Sequence, residues 1–119
     1  MRYVDGFVLA VPEKNLKVYR SIAQKAGKIW KEHDALAYVE SVGDDLDNKF
    51  GISFVKLAKI KPGETVLFSF IVYKSRAHRD QVNKKVMSDP RMLKMMQKGS
   101  MPFDIKRMAY GGFKGLVDL

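Results

Sequence analysis

At 119 residues, 46% of them hydrophobic and 29% charged, the chain has the size and balance of one globular domain, spanning 1–119, that buries its apolar side chains without staples. The absence of cysteine excludes disulfides, thiolate metal sites and cysteine nucleophiles. Lys and Arg number 22 against 13 Asp and Glu, a net charge of +9 that admits nucleic acid, an anionic surface or an acidic ligand as partner; the basic residues nonetheless fall where solvated helix faces belong.

Tyr3 to Val11 alternates as a first strand, with Val4, Gly6, Val8 and Ala10 on one side and Tyr3, Asp5, Phe7 and Leu9 on the other. An isolated carboxylate under packed helices is costly, so the side bearing Asp5 is expected to face a cavity or an interface, away from the helices. Asp5 also interrupts the opening apolar run, and Pro12-Glu13 ends it without a small-residue cleavage site. No signal peptide and no membrane-spanning run are therefore expected, and a cytoplasmic location follows by default.

From Glu13 to His33 the residues Leu16, Tyr19, Ala23, Ala26 and Trp30 recur at steps of three and four, the stripe of an amphipathic helix packed on a sheet. Lys14, Lys17, Lys25, Lys28 and Lys31 occupy its other side. A second strand, Leu36 to Val42, puts Tyr38, Glu40 and Val42 on one face, with Glu40 expected as a second acid on the side opposite the helices. Gly43 to Gly51 reads as a polar turn. Its Asp44, Asp45 and Asp47 do not complete a calcium loop, because Lys49 and Phe50 stand where ligands are needed. Ile52 to Ile60 either prolongs the hairpin or forms an excursion.

Pro62-Gly63 turns the chain into Val66 to Tyr73, whose β-branched and aromatic residues predict a central strand with two apolar faces. Ser75 is a natural N-cap for a helix over Arg76 to Met87. Asp89-Pro90 starts a short helix with Met92, Leu93, Met95 and Met96, stopped at Gly99. Ile105 to Tyr110 reads as a last strand that Gly111-Gly112 ends, and the apolar residues of the tail are expected to dock. The order is β-α-β-β-α-β, a split sandwich with helices on one face of an antiparallel sheet. Phe7, Leu9, Phe68, Phe70 and Val72 are expected on the second face, an apolar patch that a second copy would cover.

YVDGFVLAVP at Tyr3 to Pro12, GDD at Gly43 to Asp45, SDPRM at Ser88 to Met92 and MPFDIKRMAYGGF at Met101 to Phe113 resemble the YbaA-like bacterial domain-of-unknown-function family over nearly the whole chain. The resemblance implies a ferredoxin-like α+β fold of the dimeric α/β-barrel group, in which two sheets close on one another as a homodimer. Other families of that group include cofactor-free monooxygenases, muconolactone isomerases and haem-binding barrels. No activity comes with the resemblance onto residues here, since a shared fold does not give function.

The leading expectation is a small organic molecule held in a pocket on the inner sheet face, lined by Tyr3, Asp5, Phe7, Tyr38, Glu40, Phe68, Phe70 and Arg107. Within it a partly desolvated Asp5 would serve as a base, or else pair with Arg107 to fix strand register. No catalytic set is assignable. No cofactor is expected, for nucleophile elbow, phosphate loop and dinucleotide fingerprint are all missing, and His33 and His78 are too far apart for a haem or zinc pair. The rival reading is single-stranded RNA binding: Phe68-Ser69-Phe70-Ile71-Val72-Tyr73 approximates the third-strand signature of an RNA-recognition motif. Val66-Leu67 depart from that signature, and Asp5 and Glu40 would repel phosphate, so nucleic acid is not expected as a partner.

Overall fold

A computed structural model describes residues 1–97 and 101–119. The chain forms β1 (Tyr3–Pro12), a 3-10 turn at Glu13–Asn15, α1 (Leu16–Glu32), β2 (Ala37–Val42), α2 (Phe54–Leu57), β3 (Glu64–Tyr73), α3 (Arg76–Met87), α4 (Pro90–Gln97), a second 3-10 turn at Ile105–Arg107 and β4 (Ala109–Lys114). The strands make one antiparallel sheet in the order β2-β3-β1-β4, the ferredoxin-like βαββαβ arrangement that the sequence predicts.

Local chemistry sets most boundaries. Ser75 caps α3 by accepting a hydrogen bond from the His78 amide, and the Asp89 carboxylate does the same for the Arg91 amide at the start of α4. Gly99, the expected stop of α4, lies outside the described residues. The 43–63 segment is an excursion carrying α2, which Ser53 caps. Two expectations at the C-terminal end need correction. Asp104 accepts from the Lys106 amide and closes a 3-10 turn where the last strand was expected to start. Gly111-Gly112 then lies inside β4, paired with Gly6 and Asp5, and a Cβ at Gly112 would overlap the Tyr3 hydroxyl. The tail is held by the Arg2–Asp118 ion pair and by a hydrogen bond from the Gly115 amide to the Arg2 carbonyl, while Leu116, Val117 and Leu119, expected to dock, stay exposed.

Strand registry decides which side chains lie under the helices. Tyr3, Asp5, Phe7, Leu9 and Val11 stand opposite Tyr73, Ile71, Ser69, Leu67 and Thr65 on β3, and this face carries the core. Tyr3, Ile71 and Tyr73 pack with Ile29, Val82, Val86 and Met92 from the helices; Leu9, Val11 and Leu67 pack with Tyr19 and Ala23 of α1. Tyr38 and Glu40, opposite Ile71 and Ser69, share that face. The expectation that Asp5, and with it Tyr3, Phe7 and Leu9, faces away from the helices is therefore overturned, as is the same expectation for Tyr38 and Glu40. The physical reason is that Asp5 is not isolated: it is 1% exposed but receives the Arg79 guanidinium from α3 at 2.7 Å.

The open face carries Val4, Gly6 and Val8 of β1, Val39 and Ser41 of β2, Phe68, Phe70 and Val72 of β3, and Phe113 of β4. Phe68 and Phe70 are where the sequence puts them. Excursion residues cover one end of this face, with Phe54 stacked on Phe68 at 6.1 Å.

Candidate functional site

Three side chains from three elements converge on one carboxylate. Tyr19 of α1 and Tyr38 of β2 donate their hydroxyls to Glu40 Oε1 and Oε2, each at 2.7 Å, and Ser69 of β3 donates to Oε1. The register that sets Glu40 against Ser69 and Tyr38 against Ile71 aligns these groups beneath α1. Helix α1 approaches closely there because Gly27 faces the Tyr38 ring, where a Cβ would come within 2.6 Å of a ring carbon. Burial, reinforced by the Glu40 charge, pushes both phenols well above their ordinary value of 10, so neither ionises near neutrality.

The cluster lies where two cavities meet. A groove of about 820 Å³ runs between α1 and β2, with Leu16, Ala23, Val42 and Leu67 along its floor and Arg20, Lys28 and Lys31 among its lining. An inner cavity of about 160 Å³ under α1 is lined by Phe7, Trp30, Phe103 and Met108. Tyr19, Ala23, Tyr38 and Glu40 line both. A mostly apolar concavity with a few convergent polar groups is the form small-molecule sites take.

The other expected site residues are distributed differently. Asp5 and Tyr3 belong to a separate buried network: Arg79 pairs with Asp5 and lies over the Tyr3 ring at 4.9 Å, and Trp30 donates to the Tyr73 hydroxyl at 3.1 Å. Desolvation raises the Asp5 carboxyl against the opposing pull of Arg79. Arg107 does not meet Asp5; it pairs with Glu64 at 2.6 Å, and its hydrogen bonds hold the Glu64 carboxyl down to about 2. Phe70 contributes atoms to the wall of the inner cavity, but it shares the open face with Phe68, which is 47% exposed. Phe7, Tyr38 and Glu40 lie together at a cavity on the helix side of the sheet, opposite the side expected, while Phe68 and Phe70 remain on the other face.

Tyr19 and Ser69 were missed as members of the site. Their signal was present: a tyrosine in a buried helical stripe needs a partner for its hydroxyl, and Ser69 is the one polar residue inside VLFSFIVY. Among the described residues no group of three or more His, Asp or Glu side chains is placed to hold a metal ion, and no helix is long and apolar enough to cross a membrane.

Comparison with known proteins agrees with the fold. The solved structure of SnoaB, a cofactor-independent oxygenase from Streptomyces nogalater, superposes with a TM-score of 0.59 at 10% identity, covering 99% of this chain and 96% of that one. A nipsnap family protein of unknown function from Agrobacterium tumefaciens gives 0.61 at 14% identity, covering 96% and 87%. At these identities the likeness concerns architecture alone. In sequence, the uncharacterized protein YbaA of Escherichia coli (strain K12) is 46% identical over 118 residues, 99% of both chains. Residues 2–105 match the family described as "Protein of unknown function (DUF1428)", and with the YbaA identity across its whole length the chain belongs to that family.

Proposed function

We propose that the protein binds a small organic molecule in the cleft between α1 and β2, with Glu40 as its polar anchor. The observation that carries this reading is the Glu40 carboxylate, gathered by three hydroxyls from three elements at the junction of an open groove and an inner apolar cavity. Structural carboxylates of a helix–sheet core are usually met by a cation. Among the described residues this one is met only by neutral donors, an arrangement that keeps an anion beside a cavity without pairing away its charge. The apolar floor and the aromatic inner cavity supply the hydrophobic contact that fixes a ligand of modest size. The test is a thermal-shift and calorimetric screen of small aromatic and aliphatic acids, alcohols and amines on the wild type and Glu40→Gln. Compounds that stabilise the wild type and lose that effect in the variant support the site; hits indifferent to Glu40 and Tyr38 substitution refute it. Cofactor-independent oxygenation, the activity of SnoaB, is a secondary reading. A bound compound that is recovered unchanged after aerobic incubation would restrict the role to binding.

The open sheet face favours a second copy of the chain as its cover. Apart from Glu64 at one end, which is paired with Arg107, the strands present no ionisable side chain to this face. Val39, Phe68 and Phe113 there are 39%, 47% and 63% exposed. A sheet that binds RNA needs cations for phosphate, and the aromatics here have none beside them in the strands. Asp5 and Glu40 no longer argue against RNA, since they lie on the other face; the lack of cations among the strand side chains of this face does. Completing the burial of such half-exposed side chains is worth about 1 kcal/mol each, enough in sum for association of two sheets. Phe68→Asp should convert a dimer to a folded monomer by light scattering. A wild type that is monomeric at all concentrations would refute the dimer.

A further inference from the structure

The groove is electrically polarised along its depth, and that polarity defines the ligand. At its inner end stands Glu40. Oε1 accepts from Tyr19 and Ser69 and Oε2 from Tyr38. A carboxylate has about four acceptor directions, so Oε2 has room for one more donor. The three hydroxyl protons are all committed to Glu40, which leaves their oxygens free only to accept. The inner end is therefore a patch of acceptors. A ligand seated there must bring an O–H or N–H of its own, and an acidic group would be repelled.

The outer wall has the opposite character. Arg20, Lys28 and Lys31 lie along one stripe of α1 and line the same groove. Among the described residues no carboxylate is within ion-pair distance of Arg20, Lys28 or Lys31; the Lys31 ammonium donates to the neutral Leu36 carbonyl at 2.9 Å. Glu32, the other acid in the lining, is already engaged by Arg91 of α4. Lys17 and Lys25, on the same helix, do not line the groove. Three exposed cations without a carboxylate partner among the described residues on the helix wall, a half-buried anion on the strand wall and an apolar floor make a cleft for a molecule with charge at one end only.

Resting on the reading of the cleft as a ligand site, we propose that it takes a hydroxylated organic acid, with an apolar or aromatic body over Leu16, Ala23 and Val42. The hydroxyl donates to Glu40 and the carboxylate meets Arg20, Lys28 and Lys31. Anion-steering by the wall adds to the on-rate as well as to affinity, and both fall with salt.

The test is calorimetric titration with three probes of one size: para-hydroxyphenylacetate, phenylacetate, which has no inner donor, and para-hydroxyphenylethanol, which has no acid. Each is run on the wild type, on Glu40→Gln and on an Arg20→Gln/Lys28→Gln double variant, whose substituted residues are exposed and outside the core. The hydroxy acid should bind the wild type about tenfold or more tightly than either partial probe, the effect of one charge-assisted contact. The double variant should weaken both acids about tenfold and leave the alcohol unchanged, and Glu40→Gln should erase the preference for the hydroxy acid over phenylacetate. An alcohol that binds as tightly as the hydroxy acid, or a double variant with undiminished affinity for acids, overturns the ligand class and leaves the site standing. Absence of binding by all three probes, or binding unaffected by Glu40→Gln, overturns the site reading and this inference together.

Discussion

Replacing Asp5 with alanine is expected to cost on the order of 3 kcal/mol of stability. The carboxylate is 1% exposed and bonded to an Arg79 guanidinium whose side chain is 13% exposed, so truncation leaves a cation in the core with its main partner gone. Breaking a buried pair from one side costs about 3 to 5 kcal/mol. The lower end applies because Arg79 keeps Asp80 at 2.8 Å and the face of Tyr3, a reserve of negative potential that Asp5 does not supply. For a domain of this size about 3 kcal/mol is a large share of the roughly 5 to 15 kcal/mol available. Arg79→Met differs in kind. The Asp5 carboxyl, already raised by burial, can take a proton, so this variant should be damaged near neutral pH and recover as the solution is acidified. The double variant Asp5→Ala/Arg79→Met removes both charges and should cost less than the sum of the two single effects, with a coupling of about 2 kcal/mol. Urea unfolding followed by Trp30 fluorescence reads all four proteins. An Asp5→Ala cost under about 1 kcal/mol, or additive single effects, would refute the assignment of this pair as the reason the acid sits beneath the helices.

Gly27→Ala brings a methyl within 2.6 Å of the Tyr38 ring. Overpacking costs about 1 to 3 kcal/mol and the better helix former returns about 1. The net loss should therefore be about 0 to 2 kcal/mol in urea unfolding, with a larger loss of ligand affinity as the Tyr38 hydroxyl leaves Glu40; unchanged affinity would contradict the geometry. On the acid side, Arg107 holds Glu64 down to about 2 from an ordinary 4.5, and Arg2 holds Asp118 down to about 2 from 3.8. A depressed carboxyl stabilises fully above its unfolded value and loses that contribution as pH falls through the folded one, so the melting temperature should decline between about pH 4.5 and pH 2. Asp5, being raised, runs in the opposite sense and softens the decline. Arg107→Gln should flatten this limb; an acid limb as steep as in the wild type would rule out Glu64 as a contributor.

The alternation in β1 and β3 was enough to say which side chains share a face, because period two follows from the backbone. It did not say which face the helices take. Both faces of VLFSFIVY are apolar, and the deciding residue was Arg79, in a helix whose apolar set is thin and whose cations all read as solvent-facing. From sequence an acid at position 5 therefore reads as isolated, which sends Tyr38 and Glu40 to the wrong side with it. The grouping of Tyr38 with Glu40 survived because it depended on spacing alone. Tyr19 could be placed in the helical stripe but not opposite Glu40, since that contact depends on Gly27 letting α1 settle onto the sheet. The late start of β4 was hidden for a local reason: Asp104 caps a turn whose Ile105 and Arg107 also satisfy a strand pattern.

The position of a bound hydroxy acid relative to the sheet tests the central assignment most directly. In a crystal of the para-hydroxyphenylacetate complex, the ligand should lie between α1 and β2 with its hydroxyl within hydrogen-bond distance of Glu40 Oε2. Density against Phe68, Phe70 and Val72 on the opposite surface, with the α1–β2 groove holding only solvent, would contradict it.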